Sequence, residues 1–264
     1  LASDQGALAH ARTAAAPAGL IDTPGKERKA HVLKALLHLK QICNHPENFE
    51  ADKPEMLGHR SGKLDRLLDL LDELVAADQG VLVFTQFVQM GQILQQAIAE
   101  RYGFVPPFFH GGLSPTERTA IVDEFHAADG PPVLLLSLKA GGTGLNLTRA
   151  SVVIHYDRWW NPAVEDQATD RAHRIGQTRK VHVYKLVTRG TLEERIHQLI
   201  EQKRELAECL LGGSDESWLT EMSNDELRAF LALDDGAAAD DIPATAPVKK
   251  RESVLRLAAI ESTL

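Results

Sequence analysis

Cysteine is nearly absent: Cys43 and Cys209 are the only two in 264 residues. They make no disulfide framework, and the sequence suits a reducing cytoplasm. Long apolar runs are missing too. None approaches the roughly 18–20 residues of a membrane-spanning helix, so no membrane association is expected. The first residues have neither the basic start nor the apolar stretch of a signal peptide, and nothing in them points to secretion. A phosphate-binding loop of the form G-x-x-x-x-G-K-[ST] is also lacking. Two Gly-Lys pairs occur, Gly25–Lys26 and Gly62–Lys63. A leucine (Leu20, Leu57) stands where each first glycine belongs, and Glu27 or Leu64 follows the lysine. Cys43, His45 and His59 do not fit a zinc site, because their spacing matches no standard ligand pattern and a fourth ligand is wanting.

Positive charge is in deficit, but unevenly. Twenty-nine Lys/Arg against 37 Asp/Glu give a net charge of −8, which taken whole argues against nucleic acid. From Lys139 to Arg204, however, 12 Lys/Arg stand against 7 Asp/Glu, a balance of +5. From Glu205 to Pro247 a single Arg stands against 11 Asp/Glu, a balance of −10. The acidity belongs to the later segment, and the middle permits a phosphate-binding face.

Residues 1–60 read as helical but not compact. The alanines between Ala7 and Ala18 favour helix, while Pro17, Gly19, Pro24 and Gly25 break it. A helix from about Glu27 to Cys43 follows, with Val32, Leu36, Leu39 and Ile42 at helical spacing. From Ser61 strands and helices alternate. Ser61 can cap a helix with Leu64, Leu67, Leu68, Leu71 and Val75 on one face. Strands are expected at Val81–Thr85, Phe108–Phe109, Val133–Ser137, Val152–Tyr156 and Val181–Val187. Helices are expected at Phe87–Arg101, from Ser114–Pro115 with Glu117 completing a capping box, at Pro162–Ile175, and at Thr191–Leu211. Near-continuous apolar strands alternating with amphipathic helices predict an α/β fold, a parallel sheet covered on both faces. A short helical piece at 212–233 and an Ala-, Asp- and Pro-rich disordered stretch after it complete the reading.

Four segments carry chemistry. In Gln167–Gln177, QATDRAHRIGQ, Arg171 and Arg174 are three apart on a predicted helix and share a face. Paired guanidiniums suit a phosphate and the charge that builds during its transfer; a solvated basic face is the plain alternative. Gln167, one turn earlier, can hold a water or a phosphate oxygen. In Ser137–Leu147, SLKAGGTGLNL, a strand runs into a glycine-rich loop. Gly141, Gly142 and Gly144 there let backbone N–H groups approach a phosphate, with Lys139, Asn146 and Ser137 at the same edge. In Asp157–Pro162, DRWWNP, alternation at a strand end implies one core and one exposed tryptophan, unless both pack on the following helix. Finally VLVFTQF and FHGG put Thr85, Gln86, His110 and Gly111 along one rim. Asp123–His126 spells DEFH, a helicase magnesium box. It falls inside a helix whose buried face is Ile121, Val122 and Phe125, so it is rejected as catalytic.

In this order and spacing, VLVFTQF, HGGLSPTER, SLKAGGTGLNL, DRWWNP and DQATDRAHRIGQ resemble motifs IV to VI of the Swi/Snf-like ATPases. LKQICNHPENF at 39–49 resembles the segment leading into their second lobe, and WLTEMSNDELRAFLAL at 218–233 the end of bacterial members. The match runs from about residue 30 to 211. The resemblance implies a RecA-like second lobe at 61–211, a helical lead-in at 1–60, a helical brace at 212–233 and an acidic tail at 234–264. It implies arginine fingers at Arg171 and Arg174, and ATP-side positions at Gln167, Gly144 and Asn146. DNA-side positions would be Thr85, His110, Gly111, Ser137, Lys139 and Trp160, the last as a DNA-facing tryptophan. ATP and Mg2+ would be held mainly by a first lobe upstream, without which the fragment is inactive. The implied partner is double-stranded DNA in a bacterial nucleoid, and the implied activity is DNA-dependent ATP hydrolysis with translocation. A strand-separating DNA or RNA helicase, or a non-catalytic module binding RNA polymerase, are the alternatives.

Overall fold

The computed structural model describes residues 26–49, 60–140 and 144–207. The predicted brace and tail, and the glycines Gly141 and Gly142, lie outside them. Chain order is helix α1 (Lys26–Asn44), a 3-10 turn (Pro46–Asn48), α2 (Gly62–Ala76), β1 (Gly80–Thr85), α3 (Val88–Tyr102), β2 (Phe108–Phe109), α4 (Pro115–His126), β3 (Val133–Ser137), β4 (Ala150–His155), α5 (Pro162–Thr169), β5 (His182–Lys185) and α6 (Leu192–Ala207). The expected start signals operate. Ser61 Oγ accepts from Leu64 N at the head of α2, and Ser114 and Glu117 form the reciprocal capping box of α4.

The five strands pair in the order β2-β3-β1-β4-β5, every pair parallel. Parallel strands need crossovers, and these cover both faces. On one face α2 and α3 bury Leu64, Leu67, Leu71, Leu94 and Ile98 against Val81, Val83, Leu135 and Ile154. Gly91 lets α3 come close there, since a Cβ at that position would stand 2.2 Å from the Phe108 ring. On the other face Phe125 of α4 and Ala168 of α5 meet Leu82, Phe84, Leu134 and Val153. Helices α3 and α5, which follow the adjacent strands β1 and β4, thus lie on opposite faces. The C-terminal ends of β1 and β4 therefore flank the crevice where open α/β sheets take ligands.

A third apolar cluster holds α1 onto this core. Val32, Leu36 and Leu39 pack with Trp160 and with Leu192, Ile196 and Ile200 of α6. The DEFH string falls in α4 with Phe125 buried and Asp123 and Glu124 exposed. No described helix is long and apolar enough to cross a membrane.

Candidate functional site

At the β1–β4 crevice the fold fills its own ligand position. Asp157, just past β4, is buried. Its carboxylate accepts from Thr85 Oγ1 at 2.7 Å, Asn44 Nδ2 at 3.0 Å and Gln86 N at 3.1 Å. Burial pushes its pKa up, while Lys40, Lys63 and the Thr85 and Gln86 donors pull it down. Lys40 donates to Arg158 O and lies 4.2 Å from the Trp160 ring centroid. Burial lowers its pKa to about 8, opposed by Asp157 and Glu193. Lys63 Nζ meets both Glu193 oxygens at 2.6 Å and Asn44 Oδ1 at 3.1 Å. The last carbonyls of α1, orphaned by helix geometry, also find tertiary donors. Asn44 O accepts from Ser61 Oγ and Tyr156 OH, and Cys43 O from Thr188 Oγ1. Beside Asp157, Glu165 accepts from Arg158 Nε and Trp159 N, each at 2.9 Å. Burial alone would raise Glu165, but Arg158 and Lys185 hold it down to about 2.

Three of the expected DNA-side residues lie inside the fold. Thr85 is fully buried and spends its hydroxyl on Asp157. Ser137 is buried, with its Oγ accepting from Ala140 N. Trp160 is 4% exposed and does not face solvent, because α1 and α6 form a layer over the strand end that alternation within the strand cannot reveal. Its neighbour Trp159 is half-buried between two apolar clusters. His110, Gly111 and Lys139 do lie open along the rim, His110 in part. Arg118 donates to Gly111 O and Leu113 O and so shapes their turn.

The arginine segment departs from the expected helix. Helix α5 stops at Thr169, capped at Asp170. It runs back from beyond the strand ends only as far as His155, whose Nε2 lies 3.0 Å from Thr169 Oγ1. The chain then descends the sheet face as a turn. Arg171 O accepts from Leu147 N at 3.0 Å, Arg174 Nη1 donates to Gly144 O at 2.9 Å, and Gln177 reaches Thr148 and Ala150 at the start of β4. Gly176, at φ 103°, takes a left-handed conformation that favours glycine. Arg171 and Arg174 therefore sit on a flank below the rim, brought together with Gly144 and Asn146, while Gln167 is exposed on α5.

Arg171 is 4% exposed, and its Nε and Nη1 are buried without a hydrogen-bond partner. Burial and the adjacent Arg174 both lower its pKa. Arg174 is exposed. Buried guanidinium donors lacking an acceptor are costly.

The comparisons with known proteins bear on this arrangement. A family model, the helicase conserved C-terminal domain, matches residues 62–176. The solved C-terminal domain of a Sulfolobus solfataricus SWI2/SNF2 ATPase superposes with a TM-score of 0.73 at 37% identity, covering 88% of this chain and 94% of that one. The chain belongs to the SWI2/SNF2 ATPases. Its sheet and flanking helices are the RecA-like C-terminal lobe of that family. The S. solfataricus SWI2/SNF2 ATPase core in complex with double-stranded DNA aligns with a TM-score of 0.77 at 40% identity, over 89% of this chain and 48% of that one. A Bacillus subtilis protein named for ATP-dependent helicase/translocase activity is 48% identical over 210 residues, 79% of this chain and 22% of its own length. The mouse SWI/SNF-related regulator of chromatin, subfamily A member 1, is 37% identical over 195 residues, 71% of this chain and 18% of its own length. The chain thus spans about a fifth of the length of these two curated relatives.

Proposed function

We propose that this SWI2/SNF2 lobe is half of an ATP-driven translocase on duplex DNA, and that its two basic surfaces serve different ligands. The observation that carries this reading is Arg171, whose buried Nε and Nη1 lack an acceptor beside the exposed Arg174. On the flank, Arg171 and Arg174 meet the terminal phosphate of a nucleotide held by a first lobe of the same protein. When bound, ATP supplies the phosphoryl group whose transfer drives the cycle. The guanidiniums neutralise the charge that builds during transfer, an effect worth roughly 10³–10⁵ in rate for arginine fingers. Gly144, tied to Arg174, shapes the facing loop with Asn146. Mg2+ would be held with the nucleotide by the first lobe.

On the rim, His110, Gly111 and Lys139 grip phosphates of one DNA strand. Such contacts are tolerant of sequence and weaken with salt. Thr85 and Ser137 act behind them by fixing the loops that present the exposed groups.

The test is ATP turnover by the full-length protein, with and without duplex DNA, for wild type and Arg174→Ala. DNA stimulation of wild type and a loss of about 10³ or more in the variant, with ATP binding retained, supports the reading. Normal turnover by the variant removes it.

A further inference from the structure

We infer that Gln177 is a positioning residue for Arg171 and Arg174, acting through backbone carbonyls at the start of β4. The inference rests on the reading that these arginines act on a phosphate. Both lie outside any helix, and local turn bonds such as Arg171 N to Ala168 O and Ala172 N to Thr169 O hold their main chain only to the end of α5. A set of contacts to the segment between β3 and β4 docks it on the sheet. The Gln177 amide is the point where these converge. Its Nε2 lies 2.7 Å from Ala150 O, 3.0 Å from Thr148 O and 3.1 Å from Ala172 O. Its Oε1 accepts from Arg179 N at 2.9 Å, and its own N–H donates to Arg174 O at 2.9 Å.

The chemistry demands an amide. Three carbonyl oxygens converge on one atom, so that atom must donate, while the other end of the side chain must accept. Ala150 is the first residue of β4, which is bonded to β1 and β5 on its two sides. Ala172 lies on the turn itself, fully buried between the two arginines. One side chain thus pins the turn to the sheet on the C-terminal side of the arginines, and the Leu147–Arg171 bond pins it on the other.

The experiment uses the full-length protein with Gln177→Glu, which keeps the shape but turns an acceptor toward three acceptors. Gln177→Met, of similar length and uncharged, replaces it if the carboxylate unfolds the chain. Hydrogen exchange should quicken by about tenfold or more at the Leu147 amide, which reports docking of the turn, and not in α3. In the same protein kcat should fall by about tenfold or more with KM for ATP within about twofold, the pattern of an interaction lost in the transition state. Unchanged exchange at Leu147 overturns the inference. So does faster exchange with unchanged kcat while Arg174→Ala still abolishes turnover, because Gln177 would then serve the fold alone. If Arg171→Ala and Arg174→Ala are themselves neutral, the finger reading fails, and the role of Gln177 toward the phosphate falls with it.

Discussion

The buried junction around Asp157 and the turn around Arg171 are both rich in charge, but they differ in whether that charge is answered. At the junction Lys63 has Glu193, Arg158 has Glu165 although its Nη2 is buried without a partner, and Asp157 gathers donors from α1 and β1. On the turn Arg171 keeps buried donors with no acceptor, and Arg174 has one carbonyl. Charges answered inside the fold are structural, and removing one partner strands the other. Under the proposed function, the unanswered donors of Arg171 are the ones that meet an outside partner. Four measurements break or sharpen this contrast.

The largest effect belongs to the junction. Glu193→Ala leaves the Lys63 ammonium buried without its carboxylate and should cost about 3–5 kcal/mol of stability. Urea unfolding of the 264-residue chain reads this, and a loss under about 1 kcal/mol would mean that water reaches Lys63.

Acid comes next. Burial keeps His155 neutral in the fold down to about pH 4, whereas an unfolded histidine takes its proton near pH 6.5. Between those values the unfolded chain binds the extra proton, so stability falls as pH drops, by about 3 kcal/mol in all. Glu165 extends the loss. Its folded pKa is depressed to about 2, so its contribution is complete above about pH 4.5 and disappears as pH falls through about 2. Thermal midpoints for wild type and His155→Phe between pH 7.5 and 4.5 check the first leg. The variant should give the flatter curve, and parallel curves would exclude His155 as the cause.

Smaller again is Thr85→Val, which removes one donor from the Asp157 carboxylate and should cost about 2 kcal/mol. Were Thr85 instead a direct DNA contact, affinity would fall and stability would hold. The smallest stability effects should come from Arg174→Ala and Lys139→Ala, each within about 0.5 kcal/mol of wild type, although under the proposed function the first should abolish turnover and the second should flatten the salt dependence of DNA binding. A large loss of stability in either would place it with the structural charges.

The sheet was legible because its strands are short apolar runs bounded by turn residues, and the caps at Ser61 and Ser114 are local signals. The end of α5 was not. QATDRAH mixes good helix formers (Gln, Ala, Arg) with weaker ones at Thr169, Asp170 and His173, and hydrogen bonds to Leu147, Gly144 and Thr148, distant in sequence, hold the chain away after Thr169. The motifs brought Arg171, Arg174, Gly144 and Asn146 to notice, and these do gather. The buried charges escaped because 113 residues separate Asn44 from Asp157, and spacing says nothing across such a gap. One signal was present. Lys40 falls on the apolar stripe of Val32, Leu36 and Cys43, where a lysine needs a reason. The burial of Trp160 was hidden for a related cause, since its cover comes from α1 and α6 rather than from its own sheet.

That cover decides where the unit of folding begins. Strand–helix alternation starts at Ser61, and a boundary drawn there looks natural on paper. A piece cut at that point would lose Asn44 and Lys40 from Asp157, and Val32, Leu36 and Leu39 from Trp160. It would expose an indole and leave a buried carboxylate short of donors. The lobe is one helix longer than its sheet, and a linker placed between α1 and α2 would divide a core rather than join two bodies.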